Sequence, residues 1–283
     1  MSAQSASTRT WLITGATSGI GGAVAAAALE AGDTVVAAVR RPERFADLAA
    51  AHPGRGHAPH LDVTDARRIE EVVAETADRH GRIDVVVNAA GRGLIGAAEE
   101  TTDSELRALM DLHFFGPAAL TRAALPYLRA HRSGWIVQIT SMGGRLSFAG
   151  VPAYSATKFA LEGWSEGLAH EVRPLGIKVL IVEPGAFRTG FAADGALQRS
   201  APIPAYGAVI DPVWQANRDS HGRQPGDPAK AAAAILSALD AQDPPLRLPL
   251  GNDAADAIGS QVADARRDLL VWEQLSRSTD VDA

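Results

Sequence analysis

Residues Thr10 to Leu29 run for 20 positions without a charge, directly after Arg9. Length alone would suit a membrane-spanning helix or a signal segment. The content argues against both. Gly15, Thr17, Ser18, Gly19, Gly21 and Gly22 occupy the middle of the run, where a spanning helix needs Leu and Ile. The run reads instead as a strand at Trp11-Leu12-Ile13, a glycine turn and an Ala-rich helix to about Ala31. A helix entered through glycines can point its first amides at an anion.

The same alternation fills the rest of the chain. Strands are predicted at Thr34–Val39, near Ala58–Val63, and at Ile83–Val87, Trp135–Ile139, Ile177–Val182 and Leu246–Leu250. Runs such as IDVVV and IKVLIV are apolar almost throughout, as a strand covered on both faces requires. Between them lie helical patterns: one opened by Pro42 and Glu43, others at Asp65 to about His80, Ala153 to about Val172, Pro228–Leu239 and Ala254–Leu275. A helix capped by Asp103 runs towards Arg132, bent or interrupted at Pro117. This order predicts an α/β fold: one doubly wound parallel sheet of about seven strands, with helices on both faces. No repeat or composition break divides the 283 residues, so the expectation is a single domain over 1–283. Gly190 to Gly226 has weak periodicity and is expected to be a substrate lid or unstructured, and residues 276–283 a loose tail.

Composition removes whole classes of function. With 46% apolar and 21% charged residues the chain is not of the disordered type. A net charge of −6 argues against a nucleic-acid partner. No cysteine is present, which excludes disulfides and thiolate metal sites and suits a cytoplasmic protein.

Chemistry concentrates at predicted strand ends. Thr14-Gly15-Ala16-Thr17-Ser18-Gly19-Ile20-Gly21 follows the first strand with spacing G-x-x-x-G-x-G. It suits a pyrophosphate approached by backbone, although a glycine turn without ligand would look the same. After the second strand, where an NAD enzyme would place an acid, stand Arg40 and Arg41. They are either a clamp for a 2′-phosphate or two solvated cations. Asn88-Ala89-Ala90-Gly91 follows the fourth strand. Ser141 ends the fifth, with Tyr154 thirteen residues later and Lys158 four beyond that. Tyr and Lys at i, i+4 share one helix face, where an ammonium would lower the phenol pKa from about 10 towards working pH.

These motifs, with Asp62-Val63, YSATK and PGAFRT at Pro184–Thr189, stand in an order that resembles the short-chain dehydrogenase/reductase family over roughly residues 8 to 190. The resemblance implies a Rossmann-type domain, a nicotinamide cofactor and hydride transfer between carbonyl and alcohol. It implies Tyr154 as acid/base, Lys158 on the nicotinamide ribose and Ser141 on the substrate. Asp62 and Val63 would face the adenine, and Asn88 would support the central strand. Pro184, Gly185, Phe187 and Thr189 would cover the carboxamide. Arg40 and Arg41 favour NADP(H) over NAD(H). The family's helices also imply a homodimer or homotetramer through Asp103–His131 and Ala153–Val172. One departure is His113, in the slot where the family often has an Asn that holds a relay water. It either replaces the amide in a proton relay or is a buried, satisfied histidine.

Three weaker signals compete. Gly163-Trp164-Ser165-Glu166-Gly167 matches a hydrolase elbow, but no strand precedes Ser165. His52, His57 and His60 lack a metal spacing, so no metal is expected. A non-catalytic dinucleotide sensor of the same fold is the alternative function, motivated by His113. Phe148, Phe187, Phe191, Tyr206 and Trp214 flank the expected site and suggest an apolar or bulky carbonyl substrate.

Overall fold

The computed structural model describes residues 8–193 and 195–281. The segment before Thr8, Asp194 of the expected lid, and Asp282 and Ala283 of the expected tail lie outside the described residues. Nine strands occur among the described residues: β1 (Thr10–Thr14), β2 (Thr34–Ala38), β3 (Gly56–His57), β4 (Val85–Asn88), β5 (Gly93–Ile95), β6 (Gly134–Ile139), β7 (Ile177–Pro184), β8 (Leu197–Arg199) and β9 (Arg247–Leu250). Seven form one sheet in the order β3-β2-β1-β4-β6-β7-β9, with every pairing parallel. The helices are α1 (Gly19–Glu30), α2 (Ala46–Ala51), α3 (Ala66–His80), α4 (Asp103–Met110), α5 (Gly116–His131), α6 (Pro152–Val172), α7 (Gly207–Asp219), α8 (Pro228–Asp240) and α9 (Asn252–Arg277). The uncharged run at the start is thus β1, a turn and most of α1. Among the described residues no helix is long and apolar enough to cross a membrane.

The apolar runs are continuous because both faces are covered. Along β1 and its neighbours, Trp11, Ile13, Val35, Ala37, Val85 and Val87 pack with the buried residues of α1 and α8. The intervening Leu12, Val36, Val86 and Ile136 pack with α3, α5 and α6 on the other face. Fully burying each such side chain is worth about 1.5–3 kcal/mol. Successive residues of one strand therefore serve opposite layers, and a polar residue at any of them would leave a hole in one.

Four expectations need correction. The third strand is Gly56–His57, followed by a lone bridge between Val39 and His60, rather than Ala58–Val63. Pro59 has no N–H to give and breaks the ladder there. Thr102, not Asp103, caps α4: its hydroxyl accepts from Glu105 N while the Glu105 carboxylate takes Thr102 N. The helical stretch from Asp103 is interrupted before Pro117, by a π-helical turn at Asp111–Phe115. Pro117 sits harmlessly in the first turn of α5. The fourth concerns the segment from Gly190, which carries β8 and α7 instead of lacking structure, and β8 pairs with β5 in a separate two-stranded parallel ladder.

Gly116 lets the π turn seat closely, since a Cβ there would lie 2.5 Å from the carbonyl oxygen of Val63. Gly163, exposed in mid-α6, would carry a Cβ with nothing within 4 Å. Gly116→Ala should cost about 1–3 kcal/mol in urea unfolding, whereas Gly163→Ala should add about 0.5–1 kcal/mol. Equal effects of the two substitutions would contradict this packing.

Candidate active site

The carboxyl ends of β1, β4, β6 and β7 gather the chemistry-bearing residues. Gly15 has φ +68°, and a Cβ on it would sit 2.6 Å from the Ala89 carbonyl oxygen. On Gly21 a Cβ would meet Gly15 O at 2.7 Å and the Ala89 methyl at 2.9 Å. The Thr14 hydroxyl ties the two turns together, donating to Val87 O and accepting from Ala89 N at 3.1 Å and Ala90 N at 3.4 Å. Ser18 precedes α1 without a side-chain cap, and no acid occupies its first turn. The amides of that turn are thus left to an external anion. Thr17, Ser18 and Gly19 line an open groove of about 350 Å³ together with Arg44 and Phe45. Thr189 flanks it, its methyl 3.6 Å from where a Gly19 Cβ would be. Ile20 packs inward against the core.

Arg40 and Arg41 follow β2, both exposed. Burial raises the Asp62 pKa, but hydrogen bonds from Thr64 and the charges of Arg40 and His60 outweigh it and hold the carboxyl below its usual range. Arg40 thus lies near enough to Asp62 for their charges to interact. Val63 is buried and its carbonyl supports Gly116. The sequence reading did not single out Arg44, four residues beyond Arg40, which lines the same groove as Thr17, Ser18 and Gly19.

Ser141 caps a short 3-10 turn at Met142–Gly144, its Oγ accepting from Gly143 N at 3.0 Å. Tyr154 and Lys158 lie in the first two turns of α6, which Pro152 opens. The Lys158 Nζ is 5.7 Å from the centre of the Tyr154 ring and donates to Ile139 O at 3.0 Å. Burial pushes the phenol up to about 12, against a hydrogen bond with Ser141 that pulls it down. This corrects the expectation of a lowered phenol. Burial likewise lowers Lys158 to about 8, opposed by the charge of Glu162. Both groups therefore keep their protons at neutral pH, and Lys158 gives its proton up first as pH rises.

His113 is wholly enclosed. Its Nε2 accepts from Arg92 N at 3.1 Å and its Nδ1 lies 3.0 Å from the Thr157 hydroxyl. Thr157 itself donates to Tyr154 O at 2.7 Å. With that proton committed, Nδ1 must be the donor, so the ring is the neutral Nδ1–H tautomer. Burial and the charges of Lys158 and Arg92 hold its pKa well below 6.5. Its ring stands edge-on to Tyr154, centroids 5.5 Å apart. Both nitrogens have protein partners, so the satisfied-histidine reading describes it.

Beneath Lys158 lies an ion network that the sequence reading missed. Glu162 accepts from Thr140 Oγ1 at 2.7 Å and from Arg247 Nε at 3.0 Å. Glu183, fully buried, pairs with Arg145 at 3.0 Å and with Arg247 at 3.6 Å. A carboxylate at the end of the apolar run IKVLIVEP was the one sequence signal for it. Removing one partner of such a pair strands a buried charge, which costs about 3–5 kcal/mol.

The remaining expected residues divide. Asn88 donates to Thr121 Oγ1 at 3.2 Å across to α5, bracing β4. Gly91 abuts His113 Nε2, 3.2 Å from where its Cβ would be. Pro184 ends β7, and Ala186 N donates to Asp253, whose carboxylate a Gly185 Cβ would strike. Phe187, partly buried, packs against the core beside Gly226 and Gly251. Of the flanking aromatics, Phe191 stands edge-on to Tyr154 at 5.9 Å. Tyr206 instead donates to Glu99, and Trp214 stacks between Arg199 and Arg218. Ser165 is buried in mid-α6, with no strand before it. His57 belongs to β3 and packs on the His80 ring. Among the described residues no group of His, Asp and Glu could hold a metal ion.

The His113 pKa is lowered in the folded state, so acid favours the unfolded chain. Its contribution is complete above pH 6.5, the unfolded value, and fades as pH falls below it. Urea unfolding followed from pH 7.5 to 5.0 should therefore show a shallower loss of stability in His113→Asn than in the wild type. Parallel slopes would show that the ring is not held neutral.

Residues 9–199 match the profile of the short chain dehydrogenase family. The chain is 36% identical over 270 residues to oxidoreductase BOA17 of Botryotinia fuckeliana, covering 95% of this chain and 98% of that one. It is 35% identical over 245 residues to a 3-ketodihydrosphingosine reductase of Bacteroides thetaiotaomicron, covering 85% and 87%. In three dimensions it resembles the crystal structure of a short-chain dehydrogenase from Streptomyces avermitilis, with a TM-score of 0.91 and 56% identity over 98% of this chain and 100% of that chain. With its seven-stranded parallel sheet and these relatives, the chain belongs to the short-chain dehydrogenase/reductase family of oxidoreductases.

Proposed function

We propose that this protein is an NADP(H)-dependent oxidoreductase that interconverts a carbonyl and an alcohol. The observation that carries this reading is the convergence of Ser141, Tyr154 and Lys158 at the ends of β6 and α6. The uncapped α1 terminus and the glycines that admit no Cβ fit a pyrophosphate. Gly15 to Gly21 would hold it, with Asp62 towards the adenine, Thr189 over the nicotinamide end, and Arg40, Arg41 or Arg44 on a 2′-phosphate. When bound, the reduced cofactor supplies a hydride for the carbonyl carbon.

The chain's own groups manage the oxygen and its proton. Ser141 and Tyr154 would both hydrogen-bond the carbonyl oxygen. Tyr154, protonated with a pKa of about 12, gives that proton as the oxygen becomes an alkoxide. Lys158 keeps positive charge near the phenolate that remains. In the other direction the phenolate takes the proton back. Phe191, edge-on to Tyr154, gives the substrate side an apolar wall. An apolar or bulky ketone suits that wall, and one relative is named a 3-ketodihydrosphingosine reductase. The segment 190–226 would act as the lid over it. The proposed setting is the cytoplasm, with self-association through α5 and α6, where Phe115 in the turn before α5 and Phe159 on α6 are exposed. The sensor alternative drew on His113, and that ring, closed on protein partners, lends it no support.

Two measurements test the reading. Purified protein should oxidise NADPH with apolar ketones, and Tyr154→Phe should lose about 10²–10⁴-fold in kcat. The wild-type rate of reduction should fall as pH rises through about 8, where Lys158 loses its proton. No turnover across a broad carbonyl panel, or a Tyr154→Phe protein as active as the wild type, would overturn the assignment. For cofactor choice, Arg40→Ala should weaken NADPH binding about ten- to hundredfold while leaving NADH nearly unchanged. Equal losses would move the 2′-phosphate away from Arg40.

A further inference from the structure

α9 begins as part of the body and then leaves it. Ala254 and Ile258 are buried, but from Val262 to Arg277 every residue is exposed except Glu273, which is half-buried. That arm is about 24 Å long at 1.5 Å per residue. Yet it carries apolar side chains: Val262 is 49% exposed, Leu269 63%, Trp272 60% and Leu275 61%. A bare helix of this length is marginal in water and needs a packed face to persist.

Part of this apolar set shares one face, while Leu270, Val271 and Leu275 lie off it. Val262, Ala265, Leu269 and Trp272 are spaced 3, 4 and 3 apart, the alternation of a two-helix seam. Ile258 precedes them by 4 and continues the same stripe into the body. The stripe is therefore the face that packs on the body, extended beyond the body's edge.

Charge decides what can cover it. Arg266 and Glu273 both flank the seam on its same side, seven residues apart. Arg266 has no ionic partner among the described residues, while Asp264, Arg267, Glu273 and Arg277 pair along the helix. In a parallel pair of arms, Asp268 of one would face Glu273 of the other, a like-charge contact made twice. In an antiparallel pair, Arg266 of each faces Glu273 of its partner, and Leu269 stacks on Trp272 at both centre layers. We propose that the arm of α9 is an interface with a second copy of this chain, joined antiparallel about a two-fold axis near residues 270–271. Such an isologous contact uses one patch on both subunits. It lies apart from α5 and α6, so it would join pairs made there into larger closed assemblies.

The test reads assembly, not activity, on the full chain. Sedimentation velocity at micromolar protein should give Leu269→Asp half the mass of the wild type, with a cooperative thermal transition retained because the arm lies off the body. Arg266→Glu and Glu273→Arg should each raise the association midpoint about tenfold. The double variant R266E/E273R, which exchanges the charges, should restore it. A wild type of the same mass as Leu269→Asp would overturn the proposal and leave the arm to a different partner. A double variant no better than the single ones would overturn the antiparallel pairing.

Discussion

The site depends on one close approach of backbone to backbone. The turn from β1 into α1 rests on the turn after β4, with Gly15 and Gly21 over Ala89 at distances where no Cβ fits. The Thr14 hydroxyl bridges the same two turns. This contact aims α1 so that its bare amides face the cleft, and it fixes where β4 releases Asn88, Gly91 and the loop to His113. A methyl at Gly15 would meet both a steric wall and a φ that L residues rarely adopt.

His113 and the ion network hold the reacting groups from opposite sides. Arg92, His113 and Thr157 form a chain of hydrogen bonds that ends on the Tyr154 carbonyl. It ties the loop after β4 to the first turn of α6. Below, Glu162 and Glu183 share Arg247, and Arg145 brings in the segment just after Ser141. Four separate parts of the chain thus meet in one buried cluster. The imidazole is neutral because burial and two cations oppose its charge. Glu162 has its pKa raised by burial and by Glu183, yet Thr140 and Arg247 hydrogen-bond the ionised form. Lys158 sits between these environments and feels both.

How much could be read in advance followed from how local each feature is. The glycine turn, the apolar strands and the Tyr154–Lys158 pair are legible because their spacing mirrors turn, pleat and helix. The π turn at Asp111–Phe115 was not, since Pro117 gave a stronger but misleading signal two residues later. The brevity of β3 depended on Pro59, one missing donor inside an otherwise strand-like run. The packing of Phe187 on Gly226 and Gly251, far along the chain, had no local signal either.

By itself the sequence determined the alternation of strands and helices, the parallel sheet, the glycine turn and the one-face spacing of Tyr154 and Lys158, because each is written in short-range periodicity. Only the tertiary structure decided charge states and partners. Tyr154 rises to about 12 rather than falling, because burial outweighs the hydrogen bond with Ser141. His113 became a closed structural ring because Arg92 and Thr157, 21 and 44 residues away, meet it in space. Desolvation and long-range hydrogen bonds have no spacing in the sequence, so they appear only when the chain is folded.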